Sequence, residues 1–262
     1  MNLGIIANPT EESFIMAKNK GLDFIELCIN INVDVNEFIR NLDQIIQWTN
    51  AYNVKIGSIG RWGSNRIDEK GNICQDELEK EYKLIEACKK LGCGVYVCGC
   101  NEQESLSYLE NCQAAINFFE KLLTYGKELG IKIATYNCRW NNFVYSEKAW
   151  NIIHGQLDEL GIKYDPSHSY YDDNDNYLSE IAKWGNRFYH FHVKGALKVD
   201  GKRYDDPPAG MDQLDWNSIM AILYKVGYDG NLSIEPHSAT WKGELGDKGV
   251  DYTIKYMSNL VL

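Results

Sequence analysis

At 262 residues, 44% of them hydrophobic and 12% aromatic, the chain is long enough for one large folded domain and too apolar to be disordered. A net charge of −10 with no block of lysine and arginine argues against a nucleic-acid partner. No run approaches the ~18 apolar residues of a membrane helix, so no membrane association is expected.

The first element, Met1–Asn8, reads as a short strand and not as an export leader, which predicts a cytoplasmic protein. Further β-rich runs follow, giving eight strands near residues 2–7, 23–28, 54–59, 94–99, 131–136, 162–165, 188–193 and 231–235. Before five of them the same joint recurs: a helical stretch, a glycine, then the strand. Lys127-Glu128-Leu129-Gly130 before Ile131–Ala134 and Tyr224-Lys225-Val226-Gly227 before Leu232–Glu235 are two copies. In the helix before the fourth strand, Leu78, Tyr82, Ile85 and Leu91 form an apolar stripe, with Glu77, Glu79, Lys80 and Glu81 expected on the opposite side. Eight βα units in about 260 residues predict a single-domain α/β protein, a (β/α)8 TIM barrel over residues 1–262. An open dinucleotide-binding sheet is disfavoured, because Ala7-Asn8-Pro9-Thr10 after the first strand lacks a Gly-x-Gly pattern. Tyr171–Asn176 reads as a polar loop ahead of a helix. The eight cysteines fall within strand-like and helix-like patterns and are expected to be reduced thiols.

Four of the five histidines lie in three runs near the carboxyl end: Ile162–His168, Phe188–Lys194 and Leu232–His237. In a parallel barrel, residues at the carboxyl ends of strands converge on one site. Asp165 and His168 form a D-x-x-H element whose oxygen and nitrogen donors suit manganese, cobalt, zinc or magnesium; the alternative is a helix-capping Asp165. Period-2 alternation puts His190, His192 and Lys194 on one face of the seventh strand. Glu235 ends the eighth strand, where a buried carboxylate needs a cation or several hydrogen bonds.

These elements, with Gly210–Trp216 and Gly227–Glu235, resemble the xylose-isomerase-like superfamily of barrels, which includes sugar isomerases, keto-sugar epimerases, inosose dehydratases and apurinic-site endonucleases. The resemblance is strongest over 127–237. It implies one divalent metal ion (Mn, Co, Zn or Mg) held by Asp165, His192 and Glu235. The family's fourth ligand is a glutamate on the fifth strand, in an Ile-Ala-x-Glu-Asn pattern. Here the run is Ile133-Ala134-Thr135-Tyr136-Asn137, so Tyr136 stands where that glutamate is expected. Three outcomes stay open: a metal on three protein ligands, weak metal binding with retained sugar binding, and a metal-free reaction with Tyr136 as phenol donor.

The chemistry implied is proton abstraction next to the carbonyl of a keto-sugar or related polyol. Glu235 is the expected base, His168 a hydrogen-bonding partner of substrate oxygens, and Lys194 a neutraliser of developing charge. Tyr136, His190 or Lys194 would supply an acid. His168, His190 and His237, with the aromatic rings of Trp62 and Trp140, are expected to line a sugar pocket. Arg61 and Arg139 read equally as anion ligands and as surface ion pairs. A small-molecule sugar is thus the expected partner. Relatives form dimers or tetramers, so a homo-oligomer is part of the expectation, although no interface is legible. Two alternatives share the same residues: a lyase acting on a keto-sugar or cyclitol, and a degenerate sugar-binding barrel. The endonuclease reading is weak, because Lys202–Pro208 lacks the extra histidines of those enzymes.

Overall fold

The structure, a computed structural model, describes residues 1–172 and 176–262. Residues 173–175, in the middle of the expected polar loop, lie outside the described set. Eight parallel strands close into a barrel: β1 (Asn2–Ile6), β2 (Phe24–Cys28), β3 (Lys55–Arg61), β4 (Val95–Cys98), β5 (Lys132–Tyr136), β6 (Gly161–Tyr164), β7 (Phe188–Val193) and β10 (Asn231–Ile234). Each pairs with its sequence neighbour, and β10 closes on β1 through Asn2↔Asn231 to Ile5↔Ile234. Helices separate the strands and bury their apolar faces against the barrel. Among the described residues, no helix is long and apolar enough to cross a membrane.

The repeated joint behaves as its chemistry requires. Helix Tyr108–Leu129 starts at a capping box in which Ser107 and Glu110 satisfy each other's backbone N–H groups, and it stops at Gly130 with φ +74°. A side chain at Gly130 would force a left-handed conformation that only glycine adopts without cost.

Two features differ from the sequence reading. Glu77 and Glu81 do not face solvent. Arg61 pairs with Glu77 and Arg66 with Glu81, all four buried, with the Tyr96 hydroxyl donating to Glu81 as well. Each buried carboxylate is matched by a guanidinium, which offsets its desolvation. Arg61 is therefore a structural residue and not an anion ligand, and Arg139 pairs with Asp172 at 2.7 Å. The second difference is a hairpin, β8 (Leu197–Val199) and β9 (Lys202–Asp205), standing above the end of β7. Its turn residues Asp200 and Gly201 both have positive φ, as a tight hairpin demands.

The barrel is plugged at its amino end by Phe24: a Cβ at Gly4 or Gly57 would lie within about 2.5 Å of its ring. All eight cysteines are free thiols.

Candidate active site

Directly above that plug, His190 sets its ring edge-on to Phe24, centroids 6.1 Å apart. Glu26, from β2, is sealed beside it. One carboxylate oxygen lies 2.7 Å from His190 Nε2 and 2.9 Å from His192 Nε2. Ser58 Oγ approaches His190 Nε2 at 3.4 Å. Burial works to raise the Glu26 carboxyl, but the two imidazoles outweigh it and hold the group well below the usual range. Conversely, Glu26 lifts His192 above its ordinary value against the effect of burial.

The next layer up carries the carboxyl-end residues. Glu235 Oε2 lies 2.8 Å from His192 Nδ1 and 3.4 Å from Lys194 Nζ. Lys194 Nζ also lies 2.8 Å from Asp165 Oδ2. Asp165 fills the capping role weighed for it. Its Oδ1 accepts the Ser167 N–H at 2.9 Å and caps helix Pro166–Tyr171, while Oδ2 faces the site. Asn137 clamps the Asp165 backbone through two hydrogen bonds and so fixes the end of β6. His168, one turn into the helix, brings Nε2 to 3.4 Å from Asp165 Oδ2 and 3.5 Å from Lys194 Nζ. Burial and the Lys194 ammonium depress its pKa to about 3, leaving a neutral ring. Burial disfavours charge on Asp165 and Glu235, but Lys194 keeps both ionised, and they in turn raise Lys194.

The donor set fits a divalent cation. Asp165, His192 and Glu235 each offer a ligand atom, all within 4.8 Å of one another. Asp165 Oδ2 is buried without a well-aligned hydrogen bond, with Lys194 Nζ 2.8 Å away. Two carboxylates and an imidazole suit manganese, cobalt, zinc or magnesium. Glu26, His190 and His192 also lie close enough to share an ion. His190 Nε2, His192 Nε2 and the Glu26 oxygens are already engaged with one another at hydrogen-bond distances, which fits a support beneath the first set.

The remaining candidates are spread more widely. His190 lies in the sealed layer below and does not reach the open site. Tyr136 is 0% exposed, and its hydroxyl donates to the Trp140 carbonyl at 3.1 Å. Burial raises its pKa far above the usual phenol value. Trp62 stacks on the Tyr136 ring, centroids 5.2 Å apart, forming one wall. Trp140 is 48% exposed on the loop after β5. His237 stands on the rim, 57% exposed, with Nδ1 3.2 Å from Asp206. Asp206 ties that rim to the hairpin, since Arg203 and the Tyr171 hydroxyl also reach it.

Two site residues escaped the sequence reading. Glu26 sits in Phe24-Ile25-Glu26-Leu27, where a charged residue alternating with apolar ones signalled an inward carboxylate. Lys163, two residues before Asp165 and hence on the same inward face, carried the same signal.

The profile of the xylose isomerase-like TIM barrel family matches residues 14–259. No curated protein matches the chain. Among solved structures, a D-allulose 3-epimerase from Methylomonas sp. superposes with a TM-score of 0.80 at 15% identity, covering 100% of this chain and 98% of the other. D-psicose 3-epimerase from Clostridium cellulolyticum H10, crystallised with D-tagatose, has a TM-score of 0.76 at 12% identity over 99% of each chain. The IOLI protein, crystallised with a zinc atom, has a TM-score of 0.76 at 18% identity and covers 100% of this chain and 98% of its own. At these identities the superpositions speak for the fold. The profile match over residues 14–259 shows the family: the chain belongs to the xylose isomerase-like TIM barrels.

Proposed function

We propose that the protein is a metal-dependent isomerase or epimerase of a keto-sugar or related polyol, working by proton abstraction next to a carbonyl. The observation that carries this reading is the convergence of Asp165, His192 and Glu235 at the carboxyl end of the barrel, with Lys194 beside two of them. Asp165, His192 and Glu235 would hold the ion, which supplies positive charge to polarise a carbonyl oxygen. The fold neighbours named for allulose, psicose and 3-keto-glucoside epimerisation support a sugar as substrate.

The chain's own residues divide the remaining work. Glu235 takes the proton, because its side chain is ionised and, unlike Glu26 and Asp165, partly open to the mouth. Neutral His168 donates or accepts a hydrogen bond with sugar oxygens. Lys194 holds Asp165 and Glu235 in place and opposes negative charge that builds near them. Trp62 and Trp140 offer ring faces to the C–H face of a sugar, and His237 contacts its distal end. Glu26 and His190 act from below by fixing the His192 ring.

A one-base variant of this chemistry, elimination by a lyase, is favoured by a specific observation. The fifth strand, where the family places a second acid/base carboxylate, presents Tyr136 with its hydroxyl bound to Trp140. Incubation of D-fructose, D-tagatose and D-allulose with the protein in D2O tests the reading. Exchange of a proton at C1 or C3, the two carbons next to the C2 carbonyl, is expected, abolished by Glu235→Gln. Exchange followed by a new sugar marks an isomerase or epimerase; exchange followed by loss of water marks a lyase. No exchange with any keto-sugar would contradict the reading.

A further inference from the structure

Lys163 is the unusual cation of this site. It is 2% exposed, on the inward face of β6, and it is the register partner of Tyr136 on one side and His190 on the other. Among the described residues, the other basic side chains named in this region have anionic partners: Lys194 has Asp165 and Glu235, His190 and His192 share Glu26, and Arg61 and Arg66 have Glu77 and Glu81. Among the described residues, Lys163 makes no ion pair and no hydrogen bond. Its Nζ lies 5.9 Å from the centroid of the Trp62 ring. That atom keeps some accessible surface, so a hydrogen-bond acceptor can reach it, and a ligand oxygen would complete it. Lys163 lies two residues before Asp165 on the same inward face of β6, which places it beside the reacting centre.

The position is informative as well. Tyr136 takes the place of the family's acidic residue on β5, and the strand beside it carries an ammonium in register. β5 and β6 thus present the Trp62–Tyr136 stack and an amine side by side.

We propose that Lys163 is a catalytic residue whose ammonium, held beside Trp62, hydrogen-bonds the substrate oxygen that becomes negative when Glu235 removes the neighbouring proton. The step balances without a further reagent. The C–H bond breaks and its proton goes to the Glu235 carboxylate. Its electron pair forms the new C=C bond, and the carbonyl π pair moves onto oxygen. Lys163 keeps its protons and stabilises that oxygen; return of a proton to carbon or oxygen completes turnover. Placing a fixed donor where charge develops accelerates the step without tightening substrate binding equally.

The assignment rests on the keto-sugar reading, and the test separates the two. Proton exchange at carbon is followed in D2O for wild type, Lys163→Met and Lys163→Gln, with D-fructose, D-tagatose, D-allulose and a 3-keto-D-glucoside as probes. The two variants guard against one failing to fold, which a thermal unfolding scan reports. The expected result is exchange in wild type and a loss of about 100- to 1,000-fold in the saturating rate of both variants, with KM changed less than about fivefold. Exchange by both variants within threefold of wild type, or a loss carried by KM alone, would overturn the role of Lys163 and leave the sugar reading intact. No exchange by wild type on any probe would overturn both.

Discussion

The Glu26 carboxylate bridges the two histidines of β7, 2.7 Å from His190 Nε2 and 2.9 Å from His192 Nε2. It thereby holds the His192 ring so that Nδ1 points at Glu235. A carboxylate behind a ligating imidazole fixes its tautomer and raises its basicity. Glu26→Gln is therefore expected to weaken divalent-metal affinity by about 10- to 100-fold while the barrel still folds. Metal titration followed by calorimetry checks this, and unchanged affinity would remove Glu26 from the site.

Lys194 bears on metal binding with the opposite sign. Its ammonium lies 2.8 Å from Asp165 Oδ2 and 3.4 Å from Glu235 Oε2, two of the three atoms an ion would use. Lys194→Met removes that competition. Metal affinity is expected to rise roughly tenfold, while turnover falls by about two orders of magnitude because a charge near the reacting oxygens is gone. Equal losses in both would assign Lys194 a merely structural role.

Tyr136 is the residue on which the sequence left most open. With its hydroxyl on the Trp140 carbonyl and its ring stacked on Trp62, it serves as a wall. Tyr136→Phe is expected to leave turnover within about threefold and to cost about 1 kcal/mol of stability from the carbonyl left without its donor. A hundredfold loss of turnover at unchanged stability would restore the phenol as the acid.

Acid sensitivity follows from a residue outside the site. His154, buried between helix Glu147–Gln156 and β6, has its pKa pushed down to about 3 from 6.5 by burial. The unfolded chain takes up that proton near pH 6.5 and the folded chain does not. Stability is therefore present above pH 6.5 and drains as pH falls towards 3, by about 1.4 kcal/mol per pH unit for one histidine. His168 and His190 shift in the same direction, so His154→Asn should reduce the slope between pH 6 and 5 and not abolish it. Urea unfolding at the two pH values, with chelator present, measures it.

The barrel was legible because its signals are local and repeated: glycine after a helix, then an apolar strand, as at Gly130 and Gly227. The histidine-bearing strand ends were legible because polar residues break an otherwise apolar run. Glu26 and Lys163 were harder to see, since a single charge inside a short strand reads equally as a surface residue until its neighbours are placed. The inward positions of Glu77 and Glu81 depended on Arg61 and Arg66, which are distant partners that helical periodicity cannot register. The hairpin did carry a sequence mark, Asp200-Gly201 between β-prone residues, but it lay inside a stretch too short to stand out.

The reading of the site as a divalent-metal centre stands or falls on the metal content of the purified protein. Elemental analysis should find about one equivalent of manganese, cobalt, zinc or magnesium per chain, lost in both Asp165→Asn and Glu235→Gln with their folds intact. Protein that holds no ion after incubation with an excess of each, or variants that hold as much as wild type, would contradict it.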